Sequence, residues 1–192
     1  MATPITWHPD FAPSFSPKEV LALGAFEGKY TSDMKEVPSA WRVKGKVLAK
    51  QDLPDPSINF YGVKSRQGLS EWRDKGWLMT DKEGWFGWSI RYFLGRRLGR
   101  EDDLQVARWK SFVARHNAQV QLNCKAADKA CRPVQRQGLL QWQWDSDTKM
   151  DDAQKKKNLT RIARLAGCPV GEKAERVVAT ESDMPSPPYV RW

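Results

Sequence analysis

Gly84-Trp85-Phe86-Gly87-Trp88-Ser89-Ile90-Arg91-Tyr92-Phe93-Leu94-Gly95-Arg96-Arg97-Leu98 is the stretch on which the reading of this chain turns. On a helical wheel Trp85, Trp88 and Tyr92 share one side, Phe86, Ile90 and Phe93 the next, and Leu94 and Leu98 much of the remainder. A helix that is apolar nearly all round belongs in an interior. With Asp81 to open it and Gly99 to stop it, the helix is expected over about Lys82 to Leu98. The same stretch holds Arg91, Arg96 and Arg97. A guanidinium does not give up its charge, so inside a protein it has to be met by carboxylates, carbonyls or a bound anion. Beside simple solvent exposure, two readings stay open. Glu83, Glu101, Asp102 and Asp103 neutralise the arginines within the fold, or the arginines form a site for phosphate or carboxylate, either of which a planar guanidinium grips with two parallel bonds.

On both sides of this stretch the pattern is helical. Upstream, Ser16-Pro17-Lys18-Glu19 supplies an N-cap, a proline at the first helical position and a glutamate closing a capping box, for a short helix to about Leu23 ended by Gly24 and Gly28. Ser70 caps a further short helix through Lys75. Downstream, Asp102 or Asp103 starts the longest helix, to about Leu122, with Val106, Trp109, Val113 and Val120 on one face. Pro133 opens a helix to about Trp144, and Asp151-Asp152-Ala153-Gln154 opens a last one that ends at Ala166 before Gly167. Val43 to Ala49 and Ile58 to Val63 are the two segments with strand character. The expected fold is therefore mainly α, a single compact helical domain of five or six helices that leaves room for a small two-stranded ribbon. Its boundaries are an extended N-terminal arm over 1–15 with aromatic anchors Trp7, Phe11 and Phe15, the helical domain over 16–168, and a Pro-rich tail over 169–192.

Length and composition agree with one core. The chain has 192 residues, of which 40% are hydrophobic, enough to bury a core and too many for wholesale disorder. Its 32 Lys and Arg outnumber 23 Asp and Glu for a net charge of +9, which favours a polyanionic partner. Ten tryptophans in a chain of this size are unusual, because each brings a large ring and an N–H that needs a partner. No run approaches the apolar length of a membrane-spanning helix, and the mean hydropathy is -0.68. The first residues lack the basic and apolar regions of a secretory signal, so the expected compartment is the cytoplasm or nucleus. Three cysteines do not make a disulfide framework; Cys124 and Cys131 pair only in an oxidising setting.

Several further residues sharpen the anion reading. Arg108, Arg115 and Gln119 fall on one side of the longest helix, opposite its apolar stripe, and Arg132 and Arg136 lie one turn apart at the start of the next. Each set reads either as a solvated face or as part of a phosphate-tracking surface. Tyr61, Trp72, Trp77, Trp85 and Trp88 are the candidates for stacking on bases, with core packing as the competing role. Lys155-Lys156-Lys157, Arg161 and Arg164 read as a solvated helix face that can extend the same footprint. Catalytic patterns are sparse: His8 and His116 form no pair with a nucleophile, and Cys124-x6-Cys131 departs from zinc-ligand spacing. No glycine-rich cofactor loop or phosphate loop occurs, so neither metal nor cofactor is expected. An acid or base would have to come from Asp33, Asp81, Glu101 or Asp102.

Taken together, Gly84-Trp85-Phe86-Gly87-Trp88, Arg91-Tyr92, Gly95-Arg96-Arg97, Arg108-Trp109 and Cys131-Arg132-Pro133-Val134-Gln135-Arg136-Gln137-Gly138-Leu139-Leu140-Gln141-Trp142 resemble the pattern of a family of fungal, plant and microbial proteins without an assigned activity. The resemblance runs over about Ser16 to Ser146 and implies one defined domain; it carries no mechanism. Val134 stands where that pattern has an arginine. Residue chemistry alone thus gives the functional expectation: a protein that acts on DNA or RNA through an arginine and tryptophan surface. The alternatives are an enzyme acting on a phosphorylated or nucleotide-like substrate, or on a modified DNA base, through an Arg/Asp site, and a non-catalytic protein-interaction domain.

Overall fold

A computed structural model describes residues 5–28, 30, 34–41, 55–64, 73–74 and 78–172. Among them the fold is mainly α, with five helices: α1 (Pro17–Ala22), α2 (Trp85–Phe93), α3 (Arg100–Asn123), α4 (Pro133–Gln141) and α5 (Asp152–Ala166). Short 3-10 turns occupy Ala25–Gly28, Ser39–Trp41 and Pro56–Ile58. Among the described residues β-type pairing is limited to one isolated parallel bridge between Trp7 and Val170. The expected Val43 to Ala49 strand, most of the Ser70 to Lys75 helix and the tail beyond 172 lie outside the described residues.

Helix ends follow local chemistry. Ser16 forms the expected capping box with Glu19 around Pro17. Asp151 caps α5 by accepting the Gln154 N–H, and Gly167 ends it in the left-handed conformation, with φ 71°. Around α2 the expectation needs correcting. The helix covers nine residues rather than the span from Lys82 to Leu98, and Asp81 does not cap it. Gly84 precedes the helix, Leu94 follows it, and Gly95 at φ 102° turns the chain away before Arg96. The long helix begins at Arg100, so Asp102 lies inside its first turn instead of at the cap. Nor is Ile58 to Val63 a strand: Asp55 accepts the Ser57 N–H to start a 3-10 turn at Pro56, and the Asn59 side-chain amide closes the following turn on the Val63 carbonyl.

The core is built on Phe11. Its ring lies within aromatic contact of Trp7, Trp85, Trp88, Tyr92 and Trp109, at centroid separations of 5.3 to 6.1 Å. The buried stripe of α3 is the expected one, Val106, Trp109, Val113 and Val120. Helix α3 packs along α4, while α1 packs on α2. Stacked rings join three segments: Trp142 lies between Trp85 at 4.5 Å and Phe112 at 4.4 Å. Most interior indoles also satisfy their N–H: Trp7 donates to the Phe11 carbonyl, Trp85 to the Gln105 carbonyl, Trp88 to Asp102 and Trp109 to the Trp142 carbonyl. Of residues 5–15, Trp7 and residues 11–13 are buried in this interior. Gln143 holds the segment there, its carbonyl accepting the Ser14 and Phe15 N–H groups and its amide donating to the Phe15 carbonyl.

Cys124 and Cys131 are joined by a disulfide, which closes the loop between α3 and α4. The pair is the one the sequence allows in an oxidising setting, and it leaves Cys168 as the unbridged cysteine.

Candidate nucleic-acid interface

The candidate arginines divide into two groups. In the first, Asp81, with a side chain 2% exposed, stands between Arg91 and Arg96 and bonds both guanidinium groups. Arg91 also bonds Glu83 at 2.8 Å and Glu36 at 2.6 Å. The hydrogen bond from Arg91 holds Glu83 below the ordinary carboxylate range, and the Arg91 guanidinium, most of all through Glu83, is bound more firmly to its proton than usual. Arg97 donates to the carbonyls of Thr6, Tyr92 and Arg96, and its guanidinium lies 3.8 Å from the centre of the Tyr92 ring. Arg136, 1% exposed, donates to the Cys131 carbonyl, the Ser146 hydroxyl and Asp147. All four arginines are engaged within the fold: of the acids the sequence suggests only Glu83 takes part, with Asp81, Glu36 and Asp147 as the others, and Arg97 is met by carbonyls. Glu101 instead accepts from Thr80, Asp103 bonds His8, and Asp102 accepts from Trp88 and the Leu98 N–H.

Of the second group, two of the three face outward. Arg115 and Arg132 are exposed, Arg132 with its guanidinium on Gln135 at 2.8 Å. Arg108 is partly buried, bonds Gln105 at 3.0 Å and is lowered to about 10 by burial, still protonated at neutral pH. Next to Arg115, His116 is lowered to about 4, by burial first and then by the Arg115 charge.

Of the stacking candidates, Trp85 and Trp88 are interior, at 2% and 0% exposure, so neither offers a face to a ligand. Trp72 and Trp77 lie outside the described residues, as does Asp33. Among the described stacking candidates Tyr61 alone borders open space. It lines a cavity of about 180 Å³ together with Phe60, Trp144, Lys129, Asp145 and Asp147. The Tyr61 N–H donates to Gln137 Oε1, which fixes the backbone of this wall against α4. Phe60 is 42% exposed, its ring edge-on to Tyr61 at 4.9 Å, and the Lys129 ammonium stands 4.7 Å from its centre. Behind the cavity, Arg136 ties Ser146 and Asp147 to the loop through Cys131.

Phe60, Lys129, Trp144, Asp145 and Asp147 are absent from the candidates read off the sequence. The adjacent Phe60-Tyr61 pair, flanked by Asn59 and Gly62 in a turn, was the available signal for the first. Nothing local announces that Lys129, nearly seventy residues further along the chain, closes over it.

As acid or base candidates, Asp81 and Asp102 are both committed. Asp81 is sandwiched by guanidinium groups, and Asp102, raised by burial, is held by an indole and a backbone N–H. Among the described residues no group of three or more His, Cys, Asp or Glu could hold a metal ion, and no helix is long and apolar enough to cross a membrane. No family model, curated protein or solved structure matches the chain.

Proposed function

We propose that this protein binds single-stranded nucleic acid, with one base against the Phe60 and Tyr61 rings and the adjoining backbone along exposed cations of the α3–α4 side. The observation that carries the reading is the exposed Phe60 ring with the Lys129 ammonium over it, at a cavity whose wall continues into Tyr61 and Trp144. An aromatic face is the sequence-tolerant part of a single-strand site, and a neighbouring cation supplies the phosphate contact. Lys64, Lys125, Lys129, Arg132 and Arg115 are exposed on or near the segments that build this region. Charge for the phosphates therefore comes from these residues and not from Arg91, Arg96, Arg97 or Arg136, whose donors are taken up inside. A protein-interaction role built on a tryptophan surface has less support, since Trp7, Trp85, Trp88, Trp109 and Trp144 are buried.

Fluorescence anisotropy with a labelled single-stranded oligonucleotide tests the reading. Affinity is expected to fall steeply between about 50 and 200 mM salt. Phe60→Ala is expected to weaken binding by about tenfold, in keeping with about 1 to 3 kcal/mol per stacked base. Absence of binding at the lower salt, or binding indifferent to salt and to Phe60→Ala, overturns it.

A further inference from the structure

We propose that the Cys124–Cys131 disulfide is a redox-operated clasp on the cavity: closed, it holds Lys129 over Phe60, and its reduction releases the loop and opens that wall. The inference concerns the loop itself and stands apart from the identity of the ligand. The bond joins Cys124, the residue that ends α3, to Cys131, which directly precedes the start of α4 at Arg132 and Pro133. Both ends of the loop are thereby pinned to helices that pack on one another. Between them, residues 125–130 are all exposed, so the loop has no buried side chain to anchor it. Its shape is also one that the chain does not adopt by preference. Ala127 at φ 61° and Arg132 at φ 53° are left-handed without being glycine, and the turn bonds of Asp128 to the Ala130 and Cys131 N–H groups are exposed to water. The covalent ring is the part of this arrangement that water does not compete with.

Coupling to the cavity runs along two routes. Lys129 is itself a lining residue. The Cys131 carbonyl accepts from Arg136 Nε at 3.0 Å, and Arg136 Nη1 in turn reaches the Ser146 hydroxyl at 2.8 Å and Asp147 at 2.7 Å, both on the cavity wall. Neither cysteine is fully buried, which gives a reductant access. The reductant is a dithiol. One of its thiolates attacks a sulfur of the pair, the Cys124–Cys131 bond breaks and one cysteine leaves as a thiol, and the second thiol of the reductant then attacks the mixed disulfide and releases the other cysteine. Two electrons and two protons pass to Cys124 and Cys131, and the dithiol leaves as its cyclic disulfide.

Hydrogen exchange read by mass spectrometry on the full chain, carrying Cys168→Ser to remove the third thiol, tests the clasp with dithiothreitol as the probe. Reduction is expected to speed exchange over residues 125–131 and 59–62 by about tenfold while leaving α2 and the middle of α3 unchanged. Oligonucleotide affinity is expected to fall about fivefold with the loss of an ordered Lys129 contact, an effect of about 1 kcal/mol. The Cys124→Ser/Cys131→Ser variant should match the reduced protein whether or not dithiothreitol is present. The clasp is overturned if thiol counting shows both cysteines reduced and exchange at 125–131 stays as in the oxidised protein. It is overturned equally if exchange rises throughout the core, which makes the bond a general stabiliser, or if the purified protein contains no disulfide. Oxidised protein that binds no oligonucleotide removes the nucleic-acid reading and leaves the exchange pattern to decide the clasp.

Discussion

The surroundings of Asp81 and the loop between Cys124 and Cys131 are both dense in positive charge, and they deal with it in opposite ways. Around Asp81, two guanidinium groups converge on one buried carboxylate, with Glu83 and Glu36 completing the neutralisation of Arg91. In the loop, Lys125 and Lys129 stand in solvent with a covalent bond, not an ion network, fixing the backbone that presents them. Burial is what separates the two. A desolvated cation is tolerated only with its counter-charge at hand, so the first region spends its arginines on architecture, whereas an exposed cation remains available to a partner.

Removing the counter-charge is the severest way to break this contrast. Asp81→Ala leaves Arg91 and Arg96 partly desolvated and without their shared carboxylate, and is expected to cost about 3 to 5 kcal/mol. At about 2 to 4 °C per kcal/mol for a chain of this size, that is a fall in Tm of about 10 °C in a thermal melt. The counterpart, Lys129→Ala, should leave Tm within the roughly 0.5 kcal/mol scatter of surface changes and act on oligonucleotide affinity alone.

Two tryptophans give a finer comparison. Trp88 donates its N–H to the Asp102 carboxylate at 2.8 Å, while the buried Trp144 N–H has no hydrogen-bond partner among the described residues. Trp88→Phe is expected to destabilise by about 1.5 to 3 kcal/mol, the range for a hydrogen bond to a charged group. Trp144→Phe removes no such bond and should cost less than Trp88→Phe in a denaturant titration. If the two variants lose the same stability, the N–H of Trp88 contributes nothing beyond packing.

The last expected effect is on acid stability and is confined to a pH window. His116 is lowered from 6.5 to about 4 in the folded chain, so between those values the unfolded chain binds the extra proton. Its contribution is fully present above about pH 6.5 and is lost as the pH falls toward about 4. Thermal melts at intervals across that window should show a shallower decline for His116→Gln than for the parent chain. An unchanged slope would place the acid sensitivity elsewhere.

What the sequence made legible was the part governed by neighbours along the chain. Ser16, Pro17 and Glu19 mark the start of α1, Asp151 and Gly167 bracket α5, and the apolar spacing of Val106, Trp109, Val113 and Val120 picks out the buried face of α3, each through bonds or periods a few residues long. Asp81 was misread for a reason of the same kind. It has the residue type and position of an N-cap, but its carboxylate is taken by Arg91 and Arg96, which lie ten and fifteen residues further on. Of the stacking candidates, Trp85 and Trp88 carry the same atoms as a base-binding ring, and only their packing on Phe11 shows that they are interior. The cavity was beyond local reading because its walls come from distant segments. Tyr61 could be suspected on its own, whereas Phe60 and Lys129 become a pair only through the route of the chain between them.

Trp7 also sets a condition on how the molecule is made. Its N–H donates to the Pro169 carbonyl at 2.7 Å, and its own carbonyl accepts from Gly171 at 2.8 Å. Nearby, Asn158 and Arg161 of α5 donate to the Ala12 and Ser14 carbonyls. During synthesis, therefore, Trp7 cannot acquire its final backbone partners until residues 169–171 have followed it out of the ribosome. The rings that gather around Phe11 spend that interval incompletely covered, so the nascent chain is expected to depend on holding factors while it lasts.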